Sequence, residues 1–273
     1  MSTTALTWQH QHVQRLRRLF GRRVARLDEG CVVVEGAKVL GAAFDAQRHV
    51  VAVFVAPGTS DPVLGRAEAA FVPVFVLAQG VLERLADTVT PQGVAAIIEW
   101  SPTTLTTLHD GVTTGGFVVV GVDVRDPGNA GTLIRSAEAA GATGVILAGT
   151  SVDVTSPKVV RASAGAMFHV PVAVASSTAD TVSILRSWGV RVWATAVRPG
   201  ATVHYDLADL TGPTAIVVGN ESYGLDPDLI VADGLLTIPM RGRTESLNVG
   251  VAASILAFES SRQRRVRRAD SSP

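Results

Sequence analysis

The stretch 126-DPGNAGTLIRSAEAAGATGVIL-147 follows an apolar run, 117-FVVVGVDV-124. Together they read as strand, tight turn, helix and second strand. Asp126-Pro127-Gly128-Asn129 has turn chemistry, since Pro fixes φ and Gly accepts a positive one. Asn129 is placed to cap the helix that follows. That helix carries Ala130, Leu133, Ile134, Ala137 and Ala140 on one face. Arg135 lies about 100° round from Ile134, at the edge of the apolar stripe, where it can reach over the turn. In such parallel units ligands bind outside the carboxyl ends of the strands. The G-x-G-x-x-G of a dinucleotide cradle is absent, so the turn serves some other ligand.

The alternation extends both ways along the chain. From Phe117 onward, strands are expected at 117–123, 144–148, 170–174, 191–197, 214–219 and 235–240, with helices at 130–140, 157–166, 179–188 and 248–265. This spacing predicts an α/β fold: a mostly parallel sheet with helices on both faces. Upstream, the Val-rich runs CVVVEG, VVAVFVAP, FVPVFVLAQ and VAAIIEW alternate with short helical segments, a smaller α/β layer of its own. The Thr-rich stretch 101-SPTTLTTLHDGVTTGG-116 has no strong hydrophobic period and reads as the connection, with a short helix in its middle.

Composition narrows the class. The 273 residues are 47% hydrophobic and 18% charged, with mean hydropathy +0.31, a balance that favours a buried subunit interface. No apolar run reaches membrane-spanning length. The opening MSTTALTWQHQHVQRLRRLF lacks a signal-peptide core, and Cys31 is the only cysteine, so a cytoplasmic protein without disulfides is expected. Net charge is zero but unevenly spread: Arg15, Arg17, Arg18, Arg22, Arg23 and Arg26 crowd one end, and Arg262, Arg264, Arg265, Arg267 and Arg268 the other. Those eleven of 24 basic residues could give both ends positive fields that attract phosphate, although charged helix ends are more often plain solvated surface.

Two further strand ends are polar or glycine-rich. In 216-IVVGNESYGLD-226, Gly219 ends a strand, Gly224 permits a turn and Glu221 lies between them. In 238-IPMRGRTESLNVGVAASILAFE-259, a strand stops at Pro239 and a loop leads through Ser246-Leu247-Asn248 into a helix apolar nearly all round. Ser246 or Asn248 could simply be its N-cap. Metal-ligand spacing, a G-x-S-x-G elbow and a P-loop are all missing from the sequence. What remains suits a ligand held by backbone amides and carbonyls.

The three loops, in this order and spacing, resemble the motifs of the SpoU/TrmH family of RNA ribose 2′-O-methyltransferases, of the SPOUT class. The matching residues are Asp126-Pro127-Gly128-Asn129 with Arg135, then Gly219-Asn220-Glu221 with Gly224, then Ile238-Pro239-Met240 with Ser246-Leu247-Asn248-Val249. The segment 157-PKVVRASAGAMFHVPV-172 looks like the family's stretch between the first two motifs, and 33-VVEGAKVL-40 and 86-ADTVTPQGV-94 like its substrate-binding domain. The sequence departs from the pattern at Ser222-Tyr223 and at Gly250, where Ser is common. The resemblance implies an N-terminal RNA-binding domain at 15–105, a linker at 106–116 and a methyltransferase domain at 117–265 tied in a trefoil knot. It also implies a homodimer formed through that domain.

By the same resemblance the cofactor is S-adenosylmethionine, contacted at Thr195, Gly219, Ile238 and Leu247. Arg135, Asn129, Glu221, Ser246 and Asn248 are the implied catalytic set, and no metal is involved. Two roles for Arg135 stay open. A guanidinium is a very poor base, so it either loses its proton transiently in a desolvated site or binds the target phosphate and polarises the hydroxyl. Arg15, Arg18, Arg22, Arg23 and Arg161 are the expected RNA contacts. Large-subunit ribosomal RNA is the favoured substrate; transfer RNA, or an idle RNA-binding relative of the same fold, are the alternatives.

Overall fold

The structure is a computed structural model and describes residues 4–85, 92–196, 202–220, 225 and 232–270. In chain order its elements begin α1 (Gln11–Gly21), α2 (Arg23–Glu29), β1 (Cys31–Glu35), α3 (Ala37–Asp45), β2 (Val50–Val55), α4 (Pro62–Ala69), β3 (Val74–Val76), α5 (Val81–Leu85) and β4 (Val94–Glu99). They continue α6 (His109–Thr113), β5 (Phe117–Val122), α7 (Pro127–Ala139), β6 (Gly144–Ala148), α8 (Pro157–Ala162), β7 (Val172–Ala175) and α9 (Thr178–Ser187). The last are β8 (Arg191–Thr195), β9 (Thr202–His204), β10 (Thr214–Val218), β11 (Gly234–Thr237) and α10 (Val249–Asp270).

The chain divides into two compact units, one comprising residues 1–101 and 153–169, the other 102–152 and 170–273. The first holds a four-stranded sheet in the order β1-β4-β2-β3, with β4 antiparallel to both neighbours and β3 parallel to β2. α1 buries Val13, Leu16 and Leu19, one side of a helix at three-residue spacing. Gly30 ends α2 in the left-handed conformation, at φ +60°, where a Cβ would be strained.

Residues 153–169 are built into this unit by polar contacts. Arg26, only 4% exposed, donates to the Leu19 and Phe20 carbonyls, to Thr155 Oγ1 at 3.0 Å and to Asp153 Oδ2 at 2.6 Å. Arg161 pairs with Glu35 at 3.0 Å, and the Trp100 indole donates to the Met167 carbonyl. A Cβ on Gly165 would come within 2.3 Å of the Ala42 methyl, so the backbone is packed closely there. The helix expected over 157–166 therefore stops at Ala162, and a 3-10 turn at Ala166–Phe168 follows Gly165.

The second unit holds seven strands in the order β7-β6-β5-β10-β8-β11-β9, and every adjacent pair is parallel. One face packs Val118, Val120, Ile146, Val192, Ala194 and Val217 against Val182 and Leu185 of α9. The stretch 106–116, read as a linker, also contributes here. Leu108 and Val112 are buried in this core, and Thr103 bonds to Val172 at the sheet edge. Strand pleating turns Phe117, Val119 and Gly121 to the opposite face, where Leu133 of α7 would meet a Cβ on Gly121 at 3.0 Å. α10 packs along α7, and Ser136 Oγ lies 2.6 Å from Ser254 Oγ. β9 was not anticipated from the sequence, its Thr202-Val203-His204 being too short to show a period.

Candidate active site

All the motif residues in the described structure lie in the second unit, at the carboxyl edge of its sheet. α7 starts with Asp126 rather than Asn129 as its cap: Asp126 Oδ1 accepts from the Asn129 amide nitrogen at 2.8 Å, with Pro127 in the first turn. The expected cap at Asn129 is thus corrected. The residue sits one turn in, and its side chain is released for another task. Asn129 Oδ1 accepts from Asn248 Nδ2 at 2.7 Å. Asn248 Oδ1 in turn accepts from the Gly250 and Val251 amides at 2.9 and 3.2 Å, capping α10.

Two asparagines therefore tie together the N-termini of two helices, one of 13 and one of 22 residues. Each N-terminus carries unsatisfied N–H groups and a positive dipole end, which favours an anion nearby. Close approach of the helices explains Gly250, because a Cβ there would stand 3.0 Å from Thr132 Cγ2. Arg135 follows Thr132 by three residues, about 60° round α7. It is exposed and makes no hydrogen bond or ion pair with a described residue.

The proposed cofactor contacts come from adjacent strand ends. β10, β8 and β11 are neighbours in the sheet. Thr195 closes β8, Gly219 follows β10 and Ile238 follows β11, so parallel pairing brings the three positions to one edge. Gly219 is buried, whereas Thr195, Ile238 and Leu247 are half-buried. Ser246 is exposed in the loop before α10. Glu221 and Gly224, with Ser222 and Tyr223, lie outside the described residues.

Sequence reasoning passed over Asp123 and treated Asn220 only as part of a motif. Asp123, just past β5, has φ +53°, a left-handed conformation uncommon for a residue with a side chain. Its carbonyl accepts from Asn220 Nδ2 at 2.9 Å and its carboxylate accepts from the Thr150 amide at 2.6 Å. Asn220 is 7% exposed. The pair locks the ends of β5 and β10 together beside Gly219. A second acidic residue three positions before Asp126 was the available signal.

Of the arginines expected to meet RNA, most are engaged within the first unit. Arg15 donates to Glu29 at 2.7 Å and Arg18 donates to the other oxygen of the same carboxylate. Partial burial pushes the Glu29 carboxyl up, but hydrogen bonds from Arg18 and Arg15 outweigh it and hold the group below its usual range. Arg23 lies 3.7 Å from Asp153, Arg161 is paired as described, and Arg22 is exposed at the junction of α1 and α2. Among the described residues no His, Cys, Asp and Glu cluster is suited to a metal.

An all-parallel sheet with interleaved strand order carries its polar cluster where two helix N-termini meet, the architecture expected of a SPOUT-class methyltransferase, and the comparisons bear this out. Residues 116–258 match the SpoU rRNA Methylase family and residues 10–96 match the MRM3-like substrate binding domain. The chain belongs to the SpoU rRNA Methylase family. It is 36% identical over 186 residues to the 23S rRNA (guanosine(2553)-2′-O)-methyltransferase of Bacillus subtilis, covering 67% of this chain and 71% of the relative. It is 32% identical over 264 residues to an uncharacterised tRNA/rRNA methyltransferase of Synechocystis, covering 93% and 92%. The AdoMet-bound rRNA methyltransferase of Sinorhizobium meliloti superposes with a TM-score of 0.81 at 32% identity, covering 95% of this chain and 97% of that one.

Proposed function

We propose that this chain transfers the methyl group of S-adenosylmethionine to a ribose 2′-hydroxyl of large-subunit ribosomal RNA. The observation that carries this reading is the Asn129–Asn248 link at 2.7 Å, which joins two helix N-termini, with Arg135 exposed further along α7 and bonded to no described residue. A phosphodiester is the anion such a site suits, and a ribose hydroxyl lies next to every phosphate. The relatives' names support ribosomal RNA over transfer RNA.

The residues at the strand ends fit the cofactor. Gly219 offers buried backbone without a side chain, and Ile238 and Leu247 offer half-buried apolar surface. Gly219, Ile238 and Leu247 would hold the adenine and ribose through their backbone, with Thr195 nearby. Bound there, the group supplies an electrophilic methyl on a sulfonium. The chain's own part is geometry and charge. Arg135 would grip the target phosphate through its planar fork and polarise the adjacent hydroxyl, whose proton would pass to solvent water as its oxygen takes the methyl and the carbon–sulfur bond breaks. Asn129 and Asn248 fix the two helix ends against which the phosphate rests. Ser246 is within the same loop and orients the hydroxyl, and Glu221 steadies the arginine or the loop backbone.

We assign the active form as a homodimer. Val251 and Phe258, seven residues apart on α10, are 44% and 48% exposed, an apolar strip that a second copy would cover. Sedimentation should give twice the chain mass, and Phe258→Glu should return it to one. No described helix is long and apolar enough to cross a membrane, and a ribosomal RNA substrate implies a cytoplasmic enzyme.

The reaction is tested with methyl-labelled S-adenosylmethionine and, separately, unmodified ribosomal and transfer RNA digested to nucleosides. Label in a 2′-O-methylnucleoside from ribosomal RNA supports the reading. Label only from transfer RNA would replace the substrate, and cofactor-independent RNA binding without label would make the chain an idle relative.

A further inference from the structure

In the first unit the arginines expected to bind RNA are largely spent on carboxylates, but two others are not. Arg84 Cζ lies 4.2 Å from the Trp8 ring centroid and Arg17 Cζ lies 5.3 Å from it. Both arginines are exposed, and neither pairs with a carboxylate among the described residues. Arg17 makes only a long contact to Gln14 Oε1, at 3.4 Å.

The ring itself is held in place. Leu6, two residues earlier, donates to the Val76 carbonyl at 2.7 Å and accepts from the Ala78 amide at 2.9 Å, adding the N-terminal segment to the sheet edge. The Trp8 carbonyl accepts from Gln14 Nε2. On the same α1 end, His10, His12 and Phe75 form a row of rings with centroids 5.2 and 4.5 Å apart. Burial first, then the charges of His10 and Arg15, hold the His12 imidazole below its ordinary pKa.

We infer that Trp8, Arg17 and Arg84 form a contact site for unpaired nucleotides of the RNA substrate. This rests on the RNA reading above. Exposed cation–π pairs are weak, so two arginines exceed what positioning one indole needs. Aromatic rings and guanidinium planes are the surfaces on which splayed bases stack. Cations without carboxylate partners, next to those planes, attract the flanking phosphates. A duplex offers phosphates but no free base face, so the stacking part selects single-stranded segments.

The test uses the full chain with a single-stranded oligoadenylate and with an RNA duplex of equal length. Dissociation constants are measured against salt, and methyl transfer to ribosomal RNA is assayed in parallel. We expect Trp8→Ala to weaken oligoadenylate binding about tenfold and duplex binding little, with Trp8→Phe restoring most of it. The double variant Arg17→Gln/Arg84→Gln should lower the salt slope by about 1.4. Cofactor affinity should not change. RNA should quench tryptophan fluorescence in the wild type and less in Trp8→Phe, a readout that a merely structural ring would not give. Unchanged oligoadenylate binding in all variants would overturn the inference and leave the patch to a protein partner. Absence of methyl transfer by the wild type would sink the functional reading instead, while the oligoadenylate arm still decides the patch.

Discussion

The two ends of α10 use polar groups in opposite ways. At its C-terminal half, Arg264 donates to the carbonyls of Gly115, Gly116 and Gly212 and to Ser260 Oγ, and lies 5.1 Å over the Phe117 ring. Burial first, then Arg268, holds its pKa below the usual arginine value, with Asp209 opposing. Next to it Gln263 donates to the Ala208 carbonyl and accepts from the Leu210 amide. At the N-terminal end, Asn248 spends its side chain on a cap and on Asn129, and Arg135 of the adjoining α7 bonds to no described residue. A saturated arginine closes loops, and an unsaturated one awaits a ligand. Charge alone cannot separate the two, since both read in sequence as surface arginines on a helix.

The largest effect should come from breaking the ligand side. Arg135→Ala should lower kcat/KM for RNA about 100-fold or more, a magnitude typical of losing one preorganised donor. Its thermal midpoint should match the wild type, because no described partner is lost. A large fall in midpoint would mean that Arg135 is architectural after all and that the contrast between the two ends is false.

Arg264→Met should do the reverse. Removing the guanidinium leaves three carbonyls short of a donor, at a half-buried site where solvent makes up part of the loss. Destabilisation of about 2 kcal/mol is expected, with activity per folded molecule retained. Urea unfolding followed by cofactor titration separates the two. Unchanged stability would show that water replaces the guanidinium fully.

Much of this was legible beforehand, and the gaps have physical causes. The buried strands of both units, unlike the short β9, announce themselves because parallel and central strands must be apolar on both faces, as in Phe117–Val122 and Val94–Glu99. α7 and its polar turn were equally plain. Both Asp126 and Asn129 are good caps, three residues apart, and only the tertiary partner Asn248 decides which of the two side chains takes the cap. The first unit's α1 and α2 were seen as a basic cluster, their apolar stripe at Val13, Leu16 and Leu19 being diluted by arginine. Burial of Arg26 could not be foreseen, because Asp153 and Thr155 lie far along the chain. The positive φ of Asp123 likewise has no local signature.

Asn248→Ala tests the hinge between both behaviours. It removes a cap and the link to Asn129 together, so about 1 kcal/mol of stability should go. Activity should fall by more than that loss of folded protein accounts for. Asn129→Ala, which leaves both caps in place, should lower activity with little change in urea midpoint. Equal losses of stability in the two variants would show that the link itself, rather than the cap, holds α10 in place.

The smallest effect is expected where arginines are spent at the surface. Arg15 and Arg18 are 33% and 52% exposed, so their shared pairing with Glu29 is worth about 0.5 kcal/mol in water. Its pH dependence has a defined sign. The folded-state pKa of Glu29 lies below its ordinary value of 4.5, so the stabilisation is fully present above that value and is lost as pH falls through the folded-state pKa. Urea midpoints of wild type and Glu29→Gln should therefore differ at pH 7 and converge in acid. If they differ equally at pH 7 and pH 3, the carboxylate's charge is not what binds the two arginines, and proximity to Glu29 does not mark them as unavailable to RNA.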